Sequence, residues 1–184
     1  MADQGNEGIL SPFLRRRRIR NSMSFLFGKV LDVGCGSGAL ADYVSSSDYV
    51  GVEPDETSRR IARTLHPDHV FHAELPNEGE FDTVALLAVI EHVDDSAGFL
   101  KQLANLTRKA NESRIVVTTP HPLGRTIHEF GAKIGLFSSH AAEEHHTLLD
   151  HKALEQIAPP GFVLKFYRRF LFGLNQIAVF MPAE

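Results

Sequence analysis

Val30-Leu31-Asp32-Val33-Gly34-Cys35-Gly36-Ser37-Gly38 decides the reading of this 184-residue chain. The run from Lys29 to Val33 is short and mostly apolar, has valine at two positions and ends in glycine. That pattern predicts a strand buried in a parallel sheet and running into a tight turn. Ala39–Val44 follows, with a composition that suits a helix. Strand, G-x-G-x-G turn and helix form the nucleotide-binding corner of a doubly wound sheet. The glycines supply dihedrals that a side chain forbids and let backbone approach a ligand. A helix start adds unpaired N–H groups and partial positive charge. The spacing is not the G-x-G-x-x-G of dinucleotide sites, and Asp32 sits inside the strand end. A carboxylate there repels a pyrophosphate and suits a ligand with a positive end or an ammonium group.

Downstream, Asp48-Tyr49-Val50-Gly51-Val52-Glu53-Pro54-Asp55 reads as the second strand. Glu53 follows the glycines by about 20 residues, where doubly wound nucleotide sites hold the ribose hydroxyls. An ionised carboxylate is acceptor-only and can take both hydroxyls. Thr57 is expected to cap a helix through Leu65, with Ile61 and Leu65 inward. His69–His72 reads as a third strand, Phe81–Leu87 as a fourth and Arg114–Pro120 as a fifth. A helix with Phe99, Leu100, Leu103 and Leu106 is expected between the last two, running to about Lys109. Asp150–Ala158 suits a short helix stopped by Pro159-Pro160-Gly161, and 162–169 and 171–181 read as a closing strand pair.

Asp-x-Gly-Cys-Gly-x-Gly at 32–38, joined to the acid at Glu53, closely resembles motif I of the class I S-adenosylmethionine-dependent methyltransferases. Phe81-Asp82-Thr83-Val84 followed by Ile90-Glu91-His92-Val93 is similar to the fourth-strand region of ubiquinone-type O-methyltransferases and their relatives. The resemblance covers roughly residues 28–181. It implies an α/β, Rossmann-like, mostly parallel seven-stranded sheet with helices on both faces. The strand order it implies is 3-2-1-4-5-7-6, ending in a C-terminal antiparallel hairpin. The implied cofactor is S-adenosyl-L-methionine, which carries a sulfonium and an α-amino group and no phosphate. Its implied contacts are Asp32 near the amino end, backbone at Gly34, Cys35, Gly36 and Gly38, and Glu53 on the ribose with Pro54 beside it. Ala73, Glu74 and Leu75 fall at the adenine, and Leu87 and Ala88 at the end of strand four.

Methyl transfer from a sulfonium is an in-line displacement in which the protein supplies alignment, and a base helps when the acceptor is a hydroxyl. His92 and Glu91, at the carboxyl edge of the sheet, are candidates for that base, with His121 past strand five as the next. Against catalysis stands the reading of His92 as a group that orders the loop. Small-RNA 2′-O-methyltransferases have Glu-x-x-Glu-His and a later His around a metal. Here Ala88 stands where the first Glu belongs, which argues against a metal and against RNA. Asn-Pro-Pro-Tyr, Asp-Pro-Pro-Tyr and Pro-Cys signatures for nitrogen and cytosine-carbon acceptors are missing. The function implied is methylation of a small molecule, with O-methylation favoured. Two alternatives stand beside it: RNA methylation and a non-catalytic S-adenosylmethionine-binding subunit.

Domain organisation follows from length and composition. Residues 1–27 read as a polar tail and a cap helix, Phe13–Phe27, with Ile19, Met23 and Leu26 near one face. Residues 28–184 read as one domain with a lid-like insertion at 121–148, which holds Leu123, Ile127, Phe130 and Ile134 at helical spacing. A hydrophobic content of 43% with 23% charged residues is enough for a core. Five arginines between Arg15 and Arg20 read as a solvated face, because four consecutive residues point around a helix rather than along one stripe. The net charge of −4 and a pI of about 6.2 give no global field for nucleic acid or a membrane. One cysteine, Cys35, excludes an intrachain disulfide, and no membrane-spanning run or signal segment is seen, so a cytoplasmic protein is expected.

Overall fold

The computed structural model describes residues 11–108, 110–122 and 149–183. Its strands are β1 (Val30–Val33), β2 (Tyr49–Val52), β3 (Val70–His72), β4 (Thr83–Leu87), β5 (Arg114–Pro120), β6 (Phe162–Phe170) and β7 (Asn175–Pro182). They make one sheet in the order β3-β2-β1-β4-β5-β7-β6. β1 to β5 pair in parallel, and β7 is antiparallel to both β5 and β6. The helices are α1 (Ser11–Ser22), α2 (Glu56–Leu65), α3 (Ser96–Ala104) and α4 (His151–Gln156). This is the expected fold class and strand order.

Burial on both faces explains why the central strands read as unbroken apolar runs. On one face Leu31, Val33, Val84, Leu86, Ile115 and Val117 pack with Leu100 and Leu103 of α3 and Leu154 of α4. On the other, Val30, Tyr49, Phe71 and Ala85 pack under Ile19 of α1 and Ala62 of α2. Val116, Ile177 and Val179 continue that second face beneath Phe25 and Phe166. The register sets Asp32 between Gly51 and Ala85, two small neighbours, and the Phe71 ring and the Cys35 sulfur fill the space over Gly51.

Several local expectations are corrected. Ala39–Val44 is not an α-helix: turns lead into one 3₁₀ turn, Ala41–Tyr43. The three left-handed glycines occupy the crossover's first residues, and the Ser45-Ser46-Ser47 run turns into β2, so too little chain remains for a helix. The α2 cap is Asp55, whose carboxylate accepts the Ser58 N–H at 2.7 Å, not Thr57. Ala62 and Arg59 face inward on α2, Ile61 is half-buried, and Leu65 is exposed. α1 ends at Ser22 and passes into a 3₁₀ turn, Met23–Phe25. α3 ends at Ala104, β7 starts at Asn175, and Leu171–Leu174 forms the hairpin turn. The insertion expected at 121–148 lies outside the described residues from 123 onward. Among the described residues no helix is long and apolar enough to cross a membrane.

Candidate active site

Parallel strands that end on one edge bring sequence-distant residues together there. At the ends of β1 and β4, a cavity of about 220 Å³ is lined by Asp32, Gly34, Cys35, Gly36 and Leu87, and by Arg15, Arg18 and Ile19 of α1. Gly34, Gly36 and Gly38 all have left-handed φ, of 69°, 55° and 83°. A Cβ on Gly34 or Gly38 would also collide with Val89 or His66, whereas one on Gly36 would meet nothing within 4 Å. Gly36 therefore keeps the backbone open toward the cavity. The Gly34 and Cys35 N–H groups both donate to the Val52 carbonyl, at 2.8 and 3.1 Å, and so tie the turn to β2.

Glu53 completes that tie. Its Oε2 accepts the Gly36 N–H at 2.8 Å and its Oε1 accepts the Asp55 N–H at 2.9 Å. Each carboxylate oxygen keeps a lone pair for a further donor. Buried Arg59 on α2 donates to the carbonyls of Glu53 and Pro54 and pairs with Glu56, which fixes the strand end from behind. The Glu53 N–H donates to His72, so Ala73, Glu74 and Leu75 leave β3 beside it; Ala73 and Glu74 are exposed and Leu75 is half-buried.

Asp32 is only 3% exposed and accepts the Tyr49 hydroxyl at 2.8 Å. Burial pushes its carboxyl up to about 7; the Tyr49 hydrogen bond opposes that shift and the Glu53 charge adds to it. Burial, with the Asp32 charge behind it, pushes the Tyr49 hydroxyl far above its ordinary value. The Cys35 thiol, pushed up to about 12 by burial and by Asp32, stays protonated and has no nucleophilic character. Ala88, next after Leu87, has φ of 65°, a left-handed backbone that alanine adopts at a cost, and its N–H donates to Thr118 at 2.8 Å.

The three proton-transfer candidates separate in the structure. Glu91 is 4% exposed in a 3₁₀ turn, Ile90–His92, after β4, and burial raises its carboxyl while the Arg18 charge opposes. Arg18 is itself held below its ordinary value by burial, against the Glu91 charge, and donates to the Asn175 side chain at 3.1 Å. His92 is exposed. His121 is half-buried, its N–H on the Leu174 carbonyl at 2.9 Å; burial and the Arg169 charge lower its imidazole. The histidines of the expected insertion beyond residue 122, His145 and His146 among them, lie outside the described residues. Among the described residues no cluster of three His, Cys, Asp or Glu could hold a metal.

Sequence reasoning missed Arg15, Arg18, Tyr49 and Arg59. The signal for the first two was present: Arg15, Arg18, Ile19 and Ser22 recur at helical spacing, so two arginines share the buried face. Tyr49 stands two positions before Gly51 on the Asp32 side of the sheet, a relation that only the strand register reveals.

A family model described as "Methyltransferase domain" matches residues 9–159. A ubiquinone biosynthesis O-methyltransferase of Acinetobacter baylyi is 32% identical over 94 residues, 44% of this chain and 39% of that protein. One of Rhodopseudomonas palustris is 33% identical over 103 residues, 50% of this chain and 40% of that protein. The chain spans about two fifths of the length of these curated relatives. Magnesium protoporphyrin IX methyltransferase from Synechocystis PCC 6803, crystallised with bound SAH, superposes with a TM-score of 0.72 at 17% identity, covering 97% of this chain and 90% of that one. A plantazolicin methyltransferase in complex with SAH gives 0.70 at 16% identity, covering 95% and 86%. At these identities the superpositions speak for the fold; together with a family match over most of the described sheet, they lead to one conclusion, that the chain belongs to the methyltransferase-domain family.

Proposed function

We propose that this protein transfers a methyl group from S-adenosyl-L-methionine to a small-molecule acceptor, with a hydroxyl oxygen as the favoured target. The observation that carries the cofactor is the charge arrangement of the cavity: Asp32 on the sheet side and Arg15 and Arg18 on the α1 side face one space beside the open Gly36 backbone. An amino-acid group, with one ammonium and one carboxylate, matches that pair of walls. A pyrophosphate does not. Glu53 is pre-set by two backbone N–H groups to receive ribose hydroxyls, with Pro54 beside it. Ala73, Glu74 and Leu75 offer the surface for the adenine, and Leu87 and Ala88 close the β4 side. When bound, the cofactor supplies an electrophilic methyl on a sulfonium, which needs no metal to leave.

Among the candidate bases, His121 fits the task best. Burial and the Arg169 charge lower its imidazole, which favours the neutral form that can take the proton released when an acceptor O–H becomes O–CH₃. Glu91 is buried, with its carboxyl raised by burial against the Arg18 charge, and reads as a group that positions α1, and exposed His92 as one that orders its loop. The small-molecule acceptor is supported by the curated relatives, whose names record ubiquinone biosynthesis. The chain's net charge gives RNA no general attraction.

Thermal unfolding with S-adenosylhomocysteine tests the cofactor. At a hundredfold excess over Kd, linkage adds about 2.7 kcal/mol, a rise of roughly 5–11 °C in Tm for a domain of this size. No rise at millimolar ligand rejects the reading. An acceptor screen on loaded enzyme then separates phenolic hydroxyls from amines, thiols and RNA.

A further inference from the structure

A second cavity, of about 450 Å³, opens on the other side of α1, against the Ala41–Tyr43 turn. Phe13, Arg16, Arg17 and Arg20 line it from the helix, with Met23 below and Tyr43 across. These helix positions recur at three- and four-residue intervals and so form one stripe. Arg15 and Arg18 point to the first cavity from a nearly opposite stripe, and Ile19 alone is shared by the two. Arg16, Arg17 and Arg20 are exposed, and among the described residues no carboxylate pairs with any of them. The Arg17 guanidinium lies over the Phe13 ring at 5.5 Å. Phe13 and Tyr43 are both half-exposed, which is unusual for rings with an apolar floor beside them.

We propose that this groove binds a phosphate-bearing amphiphile, its phosphate held by Arg16, Arg17 and Arg20 and its apolar part laid along Phe13, Met23 and Tyr43. The volume falls in the range of small-ligand sites. Guanidinium groups match phosphate oxygens bidentately, and three that no carboxylate pairs with among the described residues form a local anion site in an otherwise acidic protein. The apolar floor separates this ligand from a simple anion. It also separates it from RNA, whose polyanionic backbone meets a chain of net charge −4 with the groove arginines included. The site stands apart from the cofactor cavity, so it does not depend on the methyltransferase reading.

Two probes distinguish the source of the phosphate, both used with the full chain. One is a short-chain phosphatidic acid below its micellar concentration, followed by titration calorimetry. The other is co-sedimentation with phosphatidylcholine vesicles with or without phosphatidylglycerol. Saturable binding of the soluble lipid identifies a free amphiphile as the ligand. Binding confined to phosphatidylglycerol vesicles identifies a bilayer. Either result supports the proposal if the triple variant R16Q/R17Q/R20Q weakens it about a hundredfold, on the scale of about a fivefold factor per arginine at an anionic surface. These side chains are exposed, so an unchanged Tm in the variant verifies that the fold is intact, and F13S, which keeps every arginine, must also weaken binding. The proposal is overturned if neither probe binds, if the triple variant binds equally well, if inorganic phosphate competes as strongly as the lipid, or if single-stranded RNA binds and the amphiphiles do not.

Discussion

Glu53 and Gly36 lie on opposite sides of the β1–β2 crossover and are joined at 2.8 Å, carboxylate to backbone N–H. One side chain thereby fixes the shape of the glycine turn and presents its remaining lone pairs to the cleft. Glu53→Ala removes both functions. Affinity for S-adenosylhomocysteine should fall by about 1–3 kcal/mol, the scale of hydrogen bonds to a charged group. Calorimetric titration reads this directly, and an unchanged Kd would falsify the assignment of Glu53 to the ribose.

Asp32 and Tyr49 give the site a pH dependence. Asp32 must be ionised to accept an ammonium, and its folded-state value is about 7. Binding of S-adenosylhomocysteine should therefore tighten as pH rises from about 5.5 to 7.5, below the titration of an α-amino group. Stability should move the other way. The Asp32 carboxyl is raised above its unfolded value, so its contribution falls as pH climbs from about 4 to 7 and is constant above. Tyr49→Phe deletes a hydrogen bond that favours the carboxylate and should shift the binding midpoint to higher pH. A profile that is flat in both proteins rules out Asp32 as the ammonium partner.

The Arg18 charge on α1 acts on buried Glu91 in the turn after β4, whose Oε2 has no hydrogen-bond partner among the described residues. Arg18→Met leaves the carboxyl without its counter-charge and should destabilise the fold by about 1–3 kcal/mol, below the full penalty for breaking a buried pair because Arg18 is partly exposed. Adding Glu91→Gln should recover part of that loss. Urea unfolding of both single variants and the double variant measures the coupling, and strict additivity means that the two charges do not interact.

Ala88 occupies a left-handed backbone without the freedom of glycine. Ala88→Gly should raise stability by about 1 kcal/mol, the balance of relieved strain against the extra entropy of an unfolded glycine. In a domain of this size that appears as roughly 2–4 °C in Tm. A lower Tm would mean that the alanine methyl packs more favourably than its backbone is strained.

The parts of the fold legible beforehand are those where one physical cause dominates. β1, β4 and β5 are buried on both faces, so their hydrophobic runs leave no competing reading. The glycine turn was legible because three positive φ angles within five residues strongly favour glycine. Glu53 was placed by a chain-length relation between consecutive strands. The segment after the turn was misread because composition suited a helix while the length of the crossover did not allow one. Leu65 looked inward by helical periodicity, yet Ala62 and Arg59 take the buried stripe, the arginine because its guanidinium is satisfied by the carbonyls of β2's end. Arg15 and Arg18 were hidden in a run of like charges, and only their helical spacing with Ile19 and Ser22 marks them as the members that turn toward the sheet.

β7 lies between β5 and β6, although it follows both in the chain. During synthesis the β5 edge, with Ile115, Val116 and Val117, must wait unpaired until residues 175–182 emerge. Until then the half-built sheet exposes an apolar strand edge, the kind of surface that recruits other chains. β6 gives no protection in this interval, since its ladder is to β7 alone. The order of manufacture therefore leaves the middle of the sheet open until β7 emerges, and a ribosome that stalls before residue 175 releases an aggregation-prone product.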